Sequence, residues 1–235
     1  MQTLRKENRL IHYHGTPITP ISVLMTLHGK HFCVSHARPT DVARAHQIGQ
    51  SVMLDNGAFS KFTKGKATDW NAYYEWCDKW LAYPTTWAII PDEIDAGTQQ
   101  QDGLIREWPF KHRGAPVWHL DEPVERVVRL CDEWPRICFG STAEYWVVGS
   151  DAWRRRIDEA FTAISARHRH LPWIHMLRGM QCCEWGYPFA SVDSTDVAQN
   201  HASRHRTARE MVDKWDAQNG PLGWKKMPIQ MELIA

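Results

Sequence analysis

Nowhere in this sequence does an apolar run approach the roughly 18 residues that a membrane-spanning helix needs, and the opening MQTLRKENRL has no apolar core of a secretory signal. Neither membrane insertion nor secretion is expected; a cytoplasmic protein is. The six cysteines, Cys33, Cys77, Cys131, Cys138, Cys182 and Cys183, offer no CxxC spacing paired with a second one and no nearby HxxxH to close a zinc site. They read as reduced thiols, and no metal is expected. A strong charge of one sign is also missing: 28 Lys and Arg against 27 Asp and Glu leave a formal net charge of +1. A global field that would announce nucleic acid is thereby excluded, so any polyanion site has to be local. No GxGxxG follows the first strand-like run, which argues against an open dinucleotide-binding sheet of the Rossmann type. Linkers rich in Pro, Gly or Ser, internal repeats and low-complexity tracts are absent too, so residues 1–235 are expected to form a single domain.

What the sequence does contain is a recurring alternation of short apolar runs and amphipathic stretches. Strand-like runs occupy Leu10–Tyr13, His31–Ser35, Val52–Leu54, Trp87–Ile90, Pro116–Leu120, Ile137–Phe139, Trp173–Leu177 and Phe189–Val192. Helical periodicity falls on Asp41–Gln47, Trp70–Leu81, Val124–Trp134, Ala152–His168 and Arg206–Asp216. In Val124–Trp134, Val124, Val127, Val128 and Cys131 recur at i, i+3, i+4, i+7, opposite Glu125, Arg126, Arg129 and Asp132. N-cap residues stand at Thr40 or Asp41, at Thr68 or Asp69, and at Asp151. Eight strands with interleaved helices predict an α/β fold, a single (β/α)8 TIM-type barrel. Most of the 13 Trp, such as Trp76, Trp80, Trp134 and Trp153, sit beside charges on helical segments, where they pack helices on the sheet.

In such barrels the site lies where strands run out into the following loops. The residues there are His14-Gly15-Thr16, His36 with Arg38, Asp55-Asn56-Gly57, Asp92-Glu93 with Asp95, His119 with Asp121-Glu122, Gly140-Ser141-Thr142, Arg178-Gly179 and Asp193-Ser194-Thr195. Loops are polar in any protein, so position alone decides little. Three carboxylates that end apolar strands, Asp55, Asp92 and Asp193, stand out. Asp55 follows Val-Met-Leu and precedes Gly57-Ala58, which lets backbone approach a ligand, and Phe59, which offers a stacking face. Asp193 follows the small residues of Phe-Ala-Ser-Val, an open approach that suits a nucleophile. Helix N-capping is the alternative reading of both acids. Two carboxylates flanking a sugar would serve displacement at an anomeric carbon.

These segments resemble the queuine tRNA-ribosyltransferases (tRNA-guanine transglycosylases), and more closely their small phage-type relatives that act as DNA 7-deazaguanine transglycosylases. Leu54-Asp55-Asn56-Gly57-Ala58-Phe59-Ser60 is similar to the family's Asp-Ser-Gly-Gly-aromatic-Gln segment, and Pro91-Asp92-Glu93 to its Asp-Glu pair. Phe139-Gly140-Ser141 resembles the glycine-rich strand end that contacts the base, and His175-Met176-Leu177-Arg178-Gly179 the His-Tyr-Leu-Met-Gly segment. Ser191-Val192-Asp193-Ser194-Thr195, followed by Ala198-Gln199-Asn200, resembles the segment that holds the nucleophile. All five stand in the family's order and span most of the barrel.

The resemblance implies Asp193 as nucleophile and Asp55 as general acid/base. It implies a base site of Asn56, Gly57, Phe59, Asp92, Gly140, Ser141, Arg178 and Gly179, with His119 roughly where the family places a base-contacting Gln. No cofactor is implied. The family's Cys-x-Cys-x-x-Cys and distant His have no counterpart, since no Cys follows Cys183, so the zinc subdomain is lacking. DNA is therefore expected ahead of tRNA as partner, with a free 7-deazaguanine base of the preQ0 type exchanged for guanine, and a phage or prophage protein acting in a bacterial cytoplasm fits that reading. Phosphate contacts are expected from Arg204, Arg206 and Arg209, with the Arg154-Arg155-Arg156 run as a solvated helix face or a second patch. Alternatives are a tRNA-guanine transglycosylase, an N-glycosyl hydrolase that uses the same acids, and a non-catalytic barrel that binds a nucleobase.

Overall fold

The computed structural model describes residues 10–65, 68–203 and 206–224. Its strands are β1 (Ile11–Gly15), β2 (His31–Ser35), β3 (Ser51–Asp55), β4 (Thr86–Ile89), β5 (Gly114–Ala115), β6 (Val117–His119), β7 (Arg136–Gly140), β8 (Trp173–Met176) and β9 (Ser191–Ser194). Every pairing is parallel, in the order β5-β4-β3-β2-β1-β9-β8-β7-β6. The two ends of that order, β5 and β6, are one strand interrupted at Pro116. Proline has no amide proton to give to a ladder, and it sits where the strand changes partner: Ala115 O accepts from Ile90 N at 2.9 Å, and Pro116 O accepts from Cys138 N at 2.8 Å. The sheet closes on itself there, and the fold is the expected TIM-type barrel of eight strands.

Alternation along each strand fills both faces with apolar groups, as a parallel sheet covered by helices requires. Tyr13, Cys33, Met53, Trp87, Ile89, Ala115, Val117 and Cys138 pack together in one cluster inside the barrel. Phe32, Val34, Val52, Leu54 and Ala88 face the helices on one flank, and Trp118, Phe139, Ile174, Met176 and Val192 on the other. The helix Val124–Glu133 buries Val127 and Cys131 of its expected apolar face together with Leu130, while Val124 and Val128 are only partly buried; Arg126, read on the opposite face, is buried too, because it pairs with Glu122 and Asp102. Asp151–Arg167 buries Trp153, Ile157, Ala160, Phe161 and Ile164.

Several elements differ from the sequence reading. The cap of Asp151–Arg167 is Ser150, whose hydroxyl accepts from Trp153 N at 3.2 Å; Asp151 sits in the first turn, where its charge meets the helix dipole. The last helix is Ala208–Asp216, begun by a capping box of Thr207 and Glu210. The helix Thr98–Glu107 has no periodic apolar face to announce it, since it carries Gly103 and only Gln101 is buried. The last strand lies two residues later than Phe189–Val192, at Ser191–Ser194. Of the arginine run, Arg154 donates to Gly149 O and lies over Trp185, and Arg156 donates to Leu120 O and pairs with Glu159. Those two pack the helix; only Arg155 is exposed.

His14 ends an apolar run but does not face the barrel mouth. Because Tyr13 points inward, its neighbours His12 and His14 point out, buried against the last helix, where His14 Nε2 meets Asp216 at 3.0 Å. Lys30 Nζ joins at 2.7 Å from Asp216 and 2.6 Å from Asp213. Burial lowers the His12 pKa to about 4. For Asp216 burial works against ionisation, but the hydrogen bonds and charges of His14 and Lys30 outweigh it and lower the pKa from 3.8 to about 2. A depressed carboxylate contributes stability that is fully present above 3.8 and lost as pH falls through 2. Asp216→Asn is expected to lower the unfolding free energy at pH 7 by about 2 kcal/mol, read from urea denaturation. Unchanged stability at pH 7 would contradict this role.

Candidate active site

The C-terminal ends of the strands surround a cavity of about 480 Å3. Asp55, Asn56, Phe59, Asp92, His119, Gly140, Ser141, Arg178 and Asp193 all line it, brought together from the ends of six strands, β3, β4, β6, β7, β8 and β9. Gly57 and Gly179 do not. Gly57 is the left-handed residue (φ +78°) that turns β3 into the short helix Ala58–Phe62, a conformation that a Cβ disfavours. Gly179 opens a 3-10 turn where a Cβ would collide with Met176. Both shape the loops rather than line the cavity.

Asp193 stands at the third position of β9 and is nearly buried. Its Oδ1 accepts from the Arg178 amide at 2.8 Å and from His175 Nε2 at 3.2 Å. The tautomer of His175 follows from its other side. Ser191 Oγ accepts from Trp173 Nε1 at 2.8 Å and so has its own proton free for His175 Nδ1, also at 2.8 Å. Nδ1 then accepts, and Nε2 carries the proton that faces the carboxylate. No hydrogen bond from the described residues reaches Oδ2, which leaves its lone pairs for a ligand. Arg178 adopts φ +56°, a left-handed conformation that costs a non-glycine residue about 1–2 kcal/mol. That conformation aims its N–H at Asp193 and its side chain over the cavity.

Asp55 is held differently. Burial is the main cause that raises its pKa from 3.8 to about 6; hydrogen bonds from Ser35 and the Gly57 amide oppose this, and the charges of Asp193 and Asp92 add to it. A carboxyl that titrates near 6 both gives and takes a proton close to neutral pH. Asp92 is the third acid, buried, with Oδ1 accepting from Asn56 Nδ2 at 2.6 Å and Oδ2 from His119 Nε2 at 2.9 Å. Asn56 also donates to Ile90 O at 2.9 Å and accepts from Ala58 N at 2.9 Å, so it fixes the loop and the acid together. Burial works against a charged His119, but the hydrogen bond and charge of Asp92, with Glu122 and Asp121 behind, raise its pKa. Gly140 makes room for this ring: a Cβ there would stand 3.0 Å from His119 Cδ2.

An aromatic roof completes the cavity. The Arg178 guanidinium lies 4.4 Å from the Phe59 ring centre and 4.6 Å from that of Trp146, and its Nη2 donates to Ser141 O at 3.1 Å. The Ser141 hydroxyl itself is taken by Trp153 Nε1 at 3.0 Å, so this residue offers its backbone to the site. Trp146, Gln101 and His175 are working parts that carried no assigned role in the sequence. Gln101 donates to His119 Nδ1 at 3.2 Å from the helix that periodicity did not reveal. His36 is packed on Tyr73 and Trp76, away from the acids.

The expected phosphate contacts are placed elsewhere. Arg204 lies outside the described residues. Arg206 and Arg209 are exposed but do not line the cavity, and Arg209 is engaged with Asp213 at 3.0 Å and with Thr26 O. Positive charge at the cavity comes from Arg38, Lys64 and Arg178. Among the described residues, no three His, Cys, Asp or Glu side chains are grouped as metal ligands, and no helix is long and apolar enough to cross a membrane. The six cysteines are free and buried.

No family model and no curated protein matches the sequence. Among solved structures, the tryptophan synthase subunit alpha from Campylobacter jejuni is similar, with a TM-score of 0.52 and 13% identity over 92% of this chain and 97% of that one. A mutant tryptophan synthase alpha-subunit from the hyperthermophile Pyrococcus furiosus aligns with a TM-score of 0.44 and 9% identity over 91% of this chain and 98% of that one. The former likeness is one of fold, the α/β barrel.

A carboxyl whose folded pKa is raised stabilises the fold below its unfolded pKa of 3.8, and that contribution is lost as pH rises through 6. Asp55→Asn is therefore expected to be more stable than the parent at pH 8, by up to about 3 kcal/mol, with the gap closing toward pH 4. Urea denaturation across that range checks it, and a pH-independent difference would contradict the assignment.

Proposed function

We propose that this chain is an enzyme that exchanges a purine base in a nucleic acid, a guanine transglycosylase acting through a covalent aspartyl-sugar intermediate. The observation that carries the reading is the pairing, in one cavity, of an acid held by two donors on one oxygen (Asp193) with an acid that titrates near 6 (Asp55). Asp193 Oδ2 attacks C1′ of a guanosine nucleotide, the C1′–N9 bond breaks, and its electron pair leaves with the base. Protonated Asp55 supplies the proton to the departing guanine. As a carboxylate it then removes the N9 proton of the incoming 7-deazaguanine, which attacks C1′ and frees Asp193.

Base recognition falls to Asp92. With one lone pair on each oxygen engaged by Asn56 and His119, the remaining ones face the N1–H and amino group of a guanine edge. Phe59 and Arg178, which line the cavity and carry Trp146 packed on both, supply flat surfaces for stacking. DNA is the proposed partner, and a flipped or single-stranded guanosine would bring C1′ into the cavity at a cost of about a few kcal/mol. Arg38 and Lys64, at the cavity wall, are placed to neutralise flanking phosphates.

Incubation with DNA or tRNA and a labelled 7-deazaguanine, followed by nucleoside mass spectrometry, is expected to show label in DNA. Asp193→Asn is expected to lose on the order of 10³-fold or more of that activity, and with it a denaturation-resistant protein–nucleic acid adduct. Free guanine without label would point to the hydrolase instead, and an adduct that survives Asp193→Asn would overturn the nucleophile.

A further inference from the structure

A second cavity, of about 410 Å3, opens at the opposite, N-terminal mouth of the barrel. First residues of six strands wall it: Ile11, His31, Ser51, Thr86, Arg136 and Trp173. Its charged lining is basic, where the other mouth mixes acids with cations. Arg113, Arg136, His31 and His112 line it, and among the described residues no Asp or Glu does.

Arg136 is the unusual member. Its guanidinium carbon lies 4.6 Å from the Trp87 ring centre and 4.9 Å from that of Trp173, so an indole approaches it from each of two strands. Among the described residues it makes no ion pair with a carboxylate and no hydrogen bond, and its Nε is buried without a partner. Burial, reinforced by the charge of Arg113, lowers its pKa against the opposing influence of Tyr13 and Cys138. Arg113 Nη2 is engaged by the backbone carbonyls of Tyr83 and Thr86, the latter at 2.8 Å. The indole N–H groups are turned to other partners: Trp87 donates to the Tyr13 hydroxyl at 2.9 Å and Trp173 to Ser191 at 2.8 Å. What remains toward the cavity is a planar fork of unused guanidinium donors between aromatic surfaces.

A half-buried guanidinium with unspent donors is costly, and it is costliest where nothing accepts from it. Cation–π contact offsets part of that cost, yet it uses the faces of the group and leaves the N–H edge. An oxyanion matches that edge by accepting two parallel hydrogen bonds. We propose that the N-terminal mouth of the barrel binds a small oxyanion, a carboxylate or phosphate group, on the donor edge of Arg136. The site is separate from the three acids and stands or falls independently of the base-exchange reading.

The test is titration of the full chain with inorganic phosphate and, separately, with benzoate, at ionic strength held constant with chloride. The arginine Nε–H resonances and the thermal midpoint are followed. The Arg136 resonance is expected to shift saturably and the midpoint to rise, with affinity weaker by about tenfold or more in Arg136→Gln. Saturation by one anion and not the other identifies the oxyanion. Arg136→Lys, which keeps the charge but not the fork, is expected to bind more weakly than the parent, and it serves as the comparison if circular dichroism shows Arg136→Gln unfolded. No saturable shift of the Arg136 resonance with either anion, or undiminished affinity in a folded variant, would overturn the proposal.

Discussion

Gathering Asp55, Asp92 and Asp193 at one end of a packed barrel sets like charges against one another where water is scarce, and the surrounding structure is arranged around that repulsion. Each acid is handled by different means. Asp193 receives a backbone amide and an imidazole N–H on one oxygen; Asp92 receives Asn56 and His119 on its two. Asp55 has weaker help, and its pKa rises instead. The division yields two carboxylates anchored by hydrogen bonds and one whose pKa is raised.

Support for these acids reaches deep into the barrel. The line Trp173–Ser191–His175–Asp193 starts at the N-terminal end of β8 and ends at the C-terminal mouth, so the tautomer of one imidazole is set by an indole at the far end of the same strand. On the other side, Gly140 gives His119 its space and Gln101 holds its remaining nitrogen. The strained backbone of Arg178 belongs to the same plan, since its conformation places an N–H on Asp193 and a guanidinium over Phe59. The acids meet at one mouth of the barrel, together with Arg38, Lys64 and Arg178, and Arg136 lies at the other.

Much of this was legible in the chain. Eight apolar runs became the eight barrel strands, because parallel strands buried on both faces must be continuously apolar, and the acids that end three of them fall at the mouth by geometry alone. Nine of the eleven residues read as catalytic or base-binding line one cavity; Gly57 and Gly179 serve turns, which a motif cannot distinguish from ligand contact. Gln101 and Trp146 escaped because their segments lack periodicity: a polar helix with Gly103 and a loop after β7. His14 misled because alternation, not sequence position, decides whether a strand residue faces the mouth, and Tyr13 had already taken the inward direction. The arginines after the proposed nucleophile drew attention by density, yet Arg209 is engaged on the outer wall.

The central claim is that burial and the charge of Asp193 together make Asp55 a proton carrier. Carbon-detected NMR titration of the Asp55 carboxyl, in the parent and in Asp193→Asn, tests it most directly. The account predicts a midpoint near 6 in the parent and a lower one once the Asp193 charge is removed. A midpoint near the ordinary carboxylate value of 3.8 in the parent, unmoved by Asp193→Asn, would contradict it.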